Sequence, residues 1–179
     1  MVTATVKKWT IDPAHSKILF KVKHLVVSTV TGTFDDFEGK IESTGDYFEN
    51  ASVTFSAKTE SINTHNKDRD NHLRSDDFFG AQQYPFMKFE STAFHKIDEC
   101  QYRVVGNLTM RNTTKEVELH AAYVGKTIDP YGKTKIAFEI IGQVNRKDFG
   151  LLWSAVTERG GMVVAEEVKL FLEVTAILD

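Results

Sequence analysis

Three groups of residues in this 179-residue chain have side chains suited to chemistry. The first is Asp12, His15 and Ser16, with His24 nine positions beyond His15. A histidine beside a serine, with an acid three residues back, is raw material for a hydrolase or an isomerase. Such chemistry needs the base within hydrogen-bond reach of the nucleophile and a third group to orient it. The spacing supplies no such assembly, so a structural polar cluster with Asp12 is the preferred reading and no catalytic residue is assigned. The second group is His65 and His72. Two histidines without a third placed ligand make a poor metal site, and no metal is expected. The third is Asn145-Arg146-Lys147-Asp148-Phe149-Gly150. Asp148-Phe149-Gly150 matches a kinase metal-binding tripeptide, but the glycine-rich loop, strand lysine and catalytic loop that accompany it are absent. The Arg146 guanidinium suits a phosphate or quinone oxygen; a salt bridge to Asp148 is the preferred alternative. Arg69 and Arg74 carry the same ambiguity against a solvated helix face. Cys100 is the single cysteine, reads as an inert strand residue, and excludes an intramolecular disulfide.

The elements that must position these groups are strands. Apolar residues recur with period two: Ile18, Phe20 and Val22 between lysines; Val53, Phe55 and Ala57; Met87 and Phe89; Tyr102 to Met110; Val117 to Tyr123; Ile136 to Val144; and Val168 to Val174. Each is a half-buried strand with one greasy and one wet face. Turns at Ser43-Thr44-Gly45-Asp46, Arg111-Asn112-Thr113-Thr114 and Asp129-Pro130-Tyr131-Gly132 separate them. With the stretch from Val30 to Ile41 this gives about eight strands in one domain, 1–179, an all-β meander, sandwich or barrel. Glycines inside strands, Gly32, Gly39, Gly106 and Gly142, suit the bends of a closed barrel. The polar stretch 63–80 breaks the pattern and predicts one or two short helices, with Ser75 capping the second and Phe78 and Phe79 turned inward.

Net charge is −3, which argues against a nucleic-acid partner. Met1 to Thr10 holds no apolar secretory core, and the expectation is a cytoplasmic protein, with a periplasmic one as the alternative where an export signal has been removed. Thirteen phenylalanines either fill a solid core or line a cavity, and barrels of about eight strands do both. The length of the runs Tyr102–Met110 and Val164–Leu178 favours a tall barrel.

Trp9-Thr10-Ile11-Asp12-Pro13-Ala14-His15-Ser16, then Val30-Thr31-Gly32-Thr33-Phe34 and Phe37-Glu38-Gly39, resemble the start of the YceI-like family of polyisoprenoid-binding proteins. Arg69-Asp70-Asn71-His72-Leu73-Arg74-Ser75-Asp76-Asp77-Phe78-Phe79 with Tyr84-Pro85, Gly106-Asn107-Leu108-Thr109-Met110 with Thr114-Lys115-Glu116-Val117, Asn145 to Leu151, and Glu166-Glu167-Val168 are similar to its later motifs, in order. The resemblance implies an extended, antiparallel, eight-stranded lipocalin-like β-barrel. It implies a lumen for an isoprenoid chain, such as a quinone tail or polyprenyl phosphate, held as a carrier, store or scavenger without a required cofactor. Phe20, Val22, His24, Phe34, Phe55, Phe78, Phe79, Phe89, Leu108, Phe138, Ile140 and Phe149 are the expected lumen residues. Asn145, Arg146 and Asp148 are the head-group candidates. Transient membrane contact and a homodimer are compatible with it. The competing readings are a hydrolase or isomerase using His15 and Ser16, and a solid-core stress or interaction protein without a ligand.

Overall fold

The computed structural model describes residues 3–156, 158–160 and 163–179. It contains β1 (Val6–Ile11), β2 (Lys17–His24), β3 (Ser28–Phe34), β4 (Phe37–Thr44), β5 (Tyr47–Lys58), β6 (Ile62–Asn63), β7 (Phe86–Lys96), β8 (Gln101–Met110), β9 (Thr113–Ile128), β10 (Thr134–Asn145) and β11 (Val164–Leu178), and one helix, α1 (Lys67–Arg74). These form eight staves. β1 and β2 lie end to end along β11, β3 and β4 lie end to end beside them, and β5 and β6 form the third. β7 to β11 complete the meander, and Trp9 opposite Leu178 with Ile11 opposite Ala176 closes it. The result is a closed antiparallel eight-stave barrel, and closure removes the sheet edges.

The three composite staves break side by side. Asp12 caps a single turn, Pro13–His15, by accepting the Ala14 N–H at 3.1 Å. Asp35 separates β3 from β4 and accepts from the Thr33 hydroxyl (2.7 Å) and the Asn63 amide (3.0 Å). The turn Thr59–Ser61 separates β5 from β6. The sequence reading merged β3 and β4 because Val30, Phe34 and Ile41 look continuous; the Asp35–Asp36 pair interrupts them.

Inward alternation sets the wall. In β4, Phe37, Gly39, Ile41 and Ser43 are buried while Glu38, Lys40, Glu42 and Thr44 are exposed. The strand glycines also make room for large neighbours. Gly32 stands opposite Phe20 across β2 and β3, and a Cβ there would strike the Phe20 ring. Gly106 has the Phe89 ring against it, and Gly142 has Leu119. A bare backbone position lets a large neighbour lie flat on the wall.

The segment from 64 to 85 crosses one end. Asn66 caps α1 by accepting the Arg69 N–H at 3.0 Å. Ser75 does not start a second helix: it ends α1, donating its N–H (3.1 Å) and its hydroxyl (2.6 Å) to the His72 carbonyl. Residues 76–79 form a turn, with Phe78 buried and Phe79 packed against the core. Cys100 lies in an exposed bend between β7 and β8, not in a strand.

Candidate ligand-binding cavity

The barrel is solid at one end and hollow at the other. The base carries the β4–β5, β7–β8 and β9–β10 turns. There Phe48 packs on Trp9 (6.3 Å between ring centres), Tyr102 (6.4 Å), Tyr123 (5.4 Å) and Phe138 (5.1 Å). Trp9 is fully buried, with its indole N–H donating to the Ser43 hydroxyl at 3.0 Å. Edge-to-face and tilted aromatic packing of this kind contributes beyond area burial. Toward the other end a cavity of about 190 Å³ opens. Both competing sequence readings, solid core and lumen, thus describe part of the same barrel.

Phe20, Val22, Phe34, Phe55, Phe78, Phe79, Phe89, Leu108, Phe138 and Ile140 line the cavity. His24 and Phe149 do not. His24 is half-buried at the last position of β2, beyond the cavity wall, and Phe149 is buried in the turn after β10. The wall also takes in Val117, Leu119, Leu170, Leu172 and Val174, on faces the alternation identifies. Leu73 of α1 and Leu151 also line it; one comes from a helix and the other from a loop, where period two gives no signal.

Among the described residues Arg146 is the single polar one on that wall, and it is 4% exposed. Its guanidinium donates to four carbonyls: Ala165 from Nε at 2.9 Å, Leu151 and Trp153 from Nη1 at 2.6 and 2.7 Å, and Val164 from Nη2 at 3.2 Å. It lies 5.9 Å from the Phe78 ring centre. The expected salt bridge to Asp148 does not form. Asp148 is exposed, because the turn Arg146–Phe149 carries successive side chains to different sides. Asn145 caps that turn by accepting the Lys147 N–H at 3.0 Å. Neither Asn145 nor Asp148 lines the cavity, so Arg146 alone of the head-group candidates faces it. Burial pulls the guanidinium below its ordinary pKa, yet an arginine stays charged throughout the working range.

The mouth is roofed by aromatic contacts. Trp153 meets His72 at 4.8 Å and Phe78 at 5.4 Å. His72 is held by Asp77 at 2.9 Å, so it serves the roof. Among the described residues no cluster of three or more His, Cys, Asp or Glu is arranged to hold a metal. Arg69 and Arg74 also have structural partners: Arg69 bonds the Thr64 hydroxyl and carbonyl, and Arg74 the Glu60 and Ile62 carbonyls.

The first chemical group divides. His15 pairs with Asp12 at 2.7 Å and sits on the outside. That hydrogen bond holds the Asp12 carboxyl below its usual range, against the opposing effect of burial. Ser16 instead locks the β2 start to β11: its hydroxyl donates to the Thr175 carbonyl (3.2 Å) and accepts the Thr175 N–H (3.0 Å). The described partners of Ser16 and His15 therefore do not include each other.

A family model described as the YceI-like domain matches residues 9–176. A UPF0312 protein of Staphylococcus aureus is 34% identical over 162 residues, which is 90% of this chain and 92% of that protein. One from Staphylococcus epidermidis is 36% identical over 163 residues, again 90% and 92%. Among solved structures, the Campylobacter jejuni YCEI protein superposes with a TM-score of 0.75 at 33% identity, covering 87% of this chain and 88% of that one. A polyisoprenoid binding domain from Saccharophagus degradans has the same fold, with a TM-score of 0.71 at 14% identity over 96% and 98%. The eight-stave closure, the half-hollow core and these matches agree: the chain belongs to the YceI-like domain family.

Proposed function

We propose that this protein binds one long apolar chain of the isoprenoid type in its cavity and carries, stores or scavenges it without chemical change. The observation that carries the reading is a wall of aliphatic and aromatic side chains, closed at the base by an aromatic plug, with one buried guanidinium. A tail entering at the mouth runs toward the plug. Its oxygen-bearing head remains near Arg146, where four of the five guanidinium N–H groups are already taken. The cavity surface itself is wholly apolar, so the head stays outside it, at the mouth. The Saccharophagus degradans domain, described as polyisoprenoid binding, supports the ligand class.

Magnitudes shape the role. Each buried methylene contributes about 0.8 kcal/mol, hence roughly 3–4 kcal/mol per five-carbon unit. A membrane buries the same tail equally well, so the net preference for the barrel is small and exchange is the natural mode. A water needs at least about 10–15 Å³ of such a cavity, so the space accommodates at most about 13–19 atoms of that size, about three prenyl units. A longer tail requires the half-buried rings of Phe20, Phe55 and Phe79 to swing. Solvent extraction of the freshly purified protein followed by mass spectrometry tests the reading. A stoichiometric prenyl lipid is expected; protein that carries no lipid and takes none from vesicles overturns it.

A further inference from the structure

The β2–β3 turn carries residues unsuited to its shape. Leu25 and Val26 have φ of 53° and 65°, the left-handed region where Asn and Gly fit and a β-branched residue is strained. Burial does not offset that strain: Leu25, Val26 and Val27 are 42%, 75% and 86% exposed. A turn shaped only by stability would carry Asn-Gly. This one holds three aliphatic side chains in water, and an observed outlier of this kind points to a use.

The turn stands at the mouth of the cavity. The Leu25 N–H donates to the Val163 carbonyl (2.9 Å), and the Val163 N–H to the Ala155 carbonyl (3.0 Å). That ties it to the stretch carrying exposed Leu152 and Val156. His24 pairs with Val164, and Val22 and Val164 line the cavity. The exposed apolar surface is thus continuous with the cavity wall. Behind it, on the outer face, are Lys21 and Lys23, with Lys169 opposite Lys21 on β11. Among the described residues none of these three lysines forms an ion pair. At about 3.3 Å per residue, Lys23 stands at most roughly 10 Å behind Val26. Apolar residues seated about 5–10 Å into a bilayer surface place Lys23 among the lipid phosphates and Lys21 and Lys169 within reach of their field.

We propose that the Leu25-Val26-Val27 turn is a membrane anchor that inserts into an anionic bilayer surface and sets the mouth against the lipid from which the cavity is loaded. The anchor rests on the cavity reading for its purpose but not for its measurement. Flotation of the purified protein with phosphatidylcholine vesicles, with and without phosphatidylglycerol, measures it directly. Wild type floats, and does so more strongly with phosphatidylglycerol. V26N/V27S loses roughly tenfold to hundredfold in apparent affinity, while its melting temperature holds or rises because Asn fits the left-handed turn. K21Q/K23Q loses the phosphatidylglycerol enhancement, roughly tenfold or more. Both variants still take up farnesol added from ethanol without vesicles, as the cavity is untouched. The anchor is overturned if wild type does not float, if V26N/V27S floats like wild type, or if light scattering shows a wild-type dimer that V26N/V27S breaks. If no protein takes up farnesol while the flotation difference stands, the cavity reading fails and the anchor survives.

Discussion

Arg146 is a buried cation whose partners are carbonyl dipoles, and that choice has mechanical consequences. Its four acceptors come from the stretch Leu151–Trp153 and from the start of β11, so one side chain fastens the β10–β11 connection over the mouth. Methionine at this position keeps an unbranched apolar stem and removes every donor. R146M should cost about 2–4 kcal/mol, since each stranded buried carbonyl costs on the order of 1 kcal/mol or more. For a chain of this size that lowers the melting temperature by roughly 5–15 °C. R146K, with three donors on a point charge, should fall between. A melt of R146M that matches wild type rules out the fastening role. Gly32 makes a second residue-scale case. A Cβ there meets the Phe20 ring and the Thr64 methyl, both side chains that can move. G32A should destabilise by about 1–3 kcal/mol through overpacking, and F20L should recover part of that in the double variant. Additive losses in the cycle would show that Phe20 does not lie on Gly32.

Among elements, the walls were readable from the sequence and the contents were not. Period two encodes which side chains of β4, β8 or β11 face inward, because a pleated strand leaves no other choice. It is silent on which inward rings meet one another. Trp9 and Phe48 form the heart of the plug, yet each sits in a short or bulged stretch, and neither stood out. Ten of the twelve expected lumen residues line the cavity, while His24 and Phe149 fall beyond its ends, since alternation fixes face and not height. Arg146 is visible as a residue, but its partners are main-chain carbonyls 5 to 19 positions away, in the loop Leu151–Trp153 and at the first residues of β11, and main-chain acceptors leave no side-chain signal, so Asp148 two positions on is the natural and incorrect partner. The plug predicts a separable effect. Phe48 is 2% exposed and touches four other rings. F48A should cost about 3–5 kcal/mol and deepen the cavity toward the base. Thermal shifts should then grow for longer prenyl alcohols relative to farnesol. F55W does the opposite: the wall ring thickens where it is half-buried, folding is retained, and uptake falls. Equal shifts across chain lengths in F48A would mean the tail does not point at the plug.

At the scale of the whole molecule, most of the carboxyls and phenols whose titration responds to folding lie toward the base; Glu166, held down by Lys147 on the β10–β11 side, is the carboxyl near the mouth. Asp46 is held down first by hydrogen bonds from Lys7 and Lys126, Glu49 by the Lys96 N–H and His95, Asp129 by the Lys133 N–H, and Asp12 by His15. A carboxyl depressed in the fold adds stability that is present above its unfolded pKa of about 4 and is lost as pH falls through the folded value. Tyr102 and Tyr123, in the plug, are pushed up chiefly by burial. A raised phenol leaves stability intact below about pH 10, and that stability is lost as pH rises and the unfolded chain ionises its tyrosines first. Denaturant melts at stepped pH should therefore show a plateau between about pH 5 and 9 with two separable limbs. D46N should flatten part of the acid limb and Y123F part of the alkaline one; a limb unchanged in its variant removes that group from the account. Among the described residues the cavity wall carries no carboxylate, phenol or imidazole, and its one polar member, Arg146, is charged throughout. Ligand uptake measured across the plateau should accordingly be flat for a neutral prenyl alcohol. Uptake that followed the stability limbs instead would show only that the barrel must be closed at its base to be hollow at its mouth.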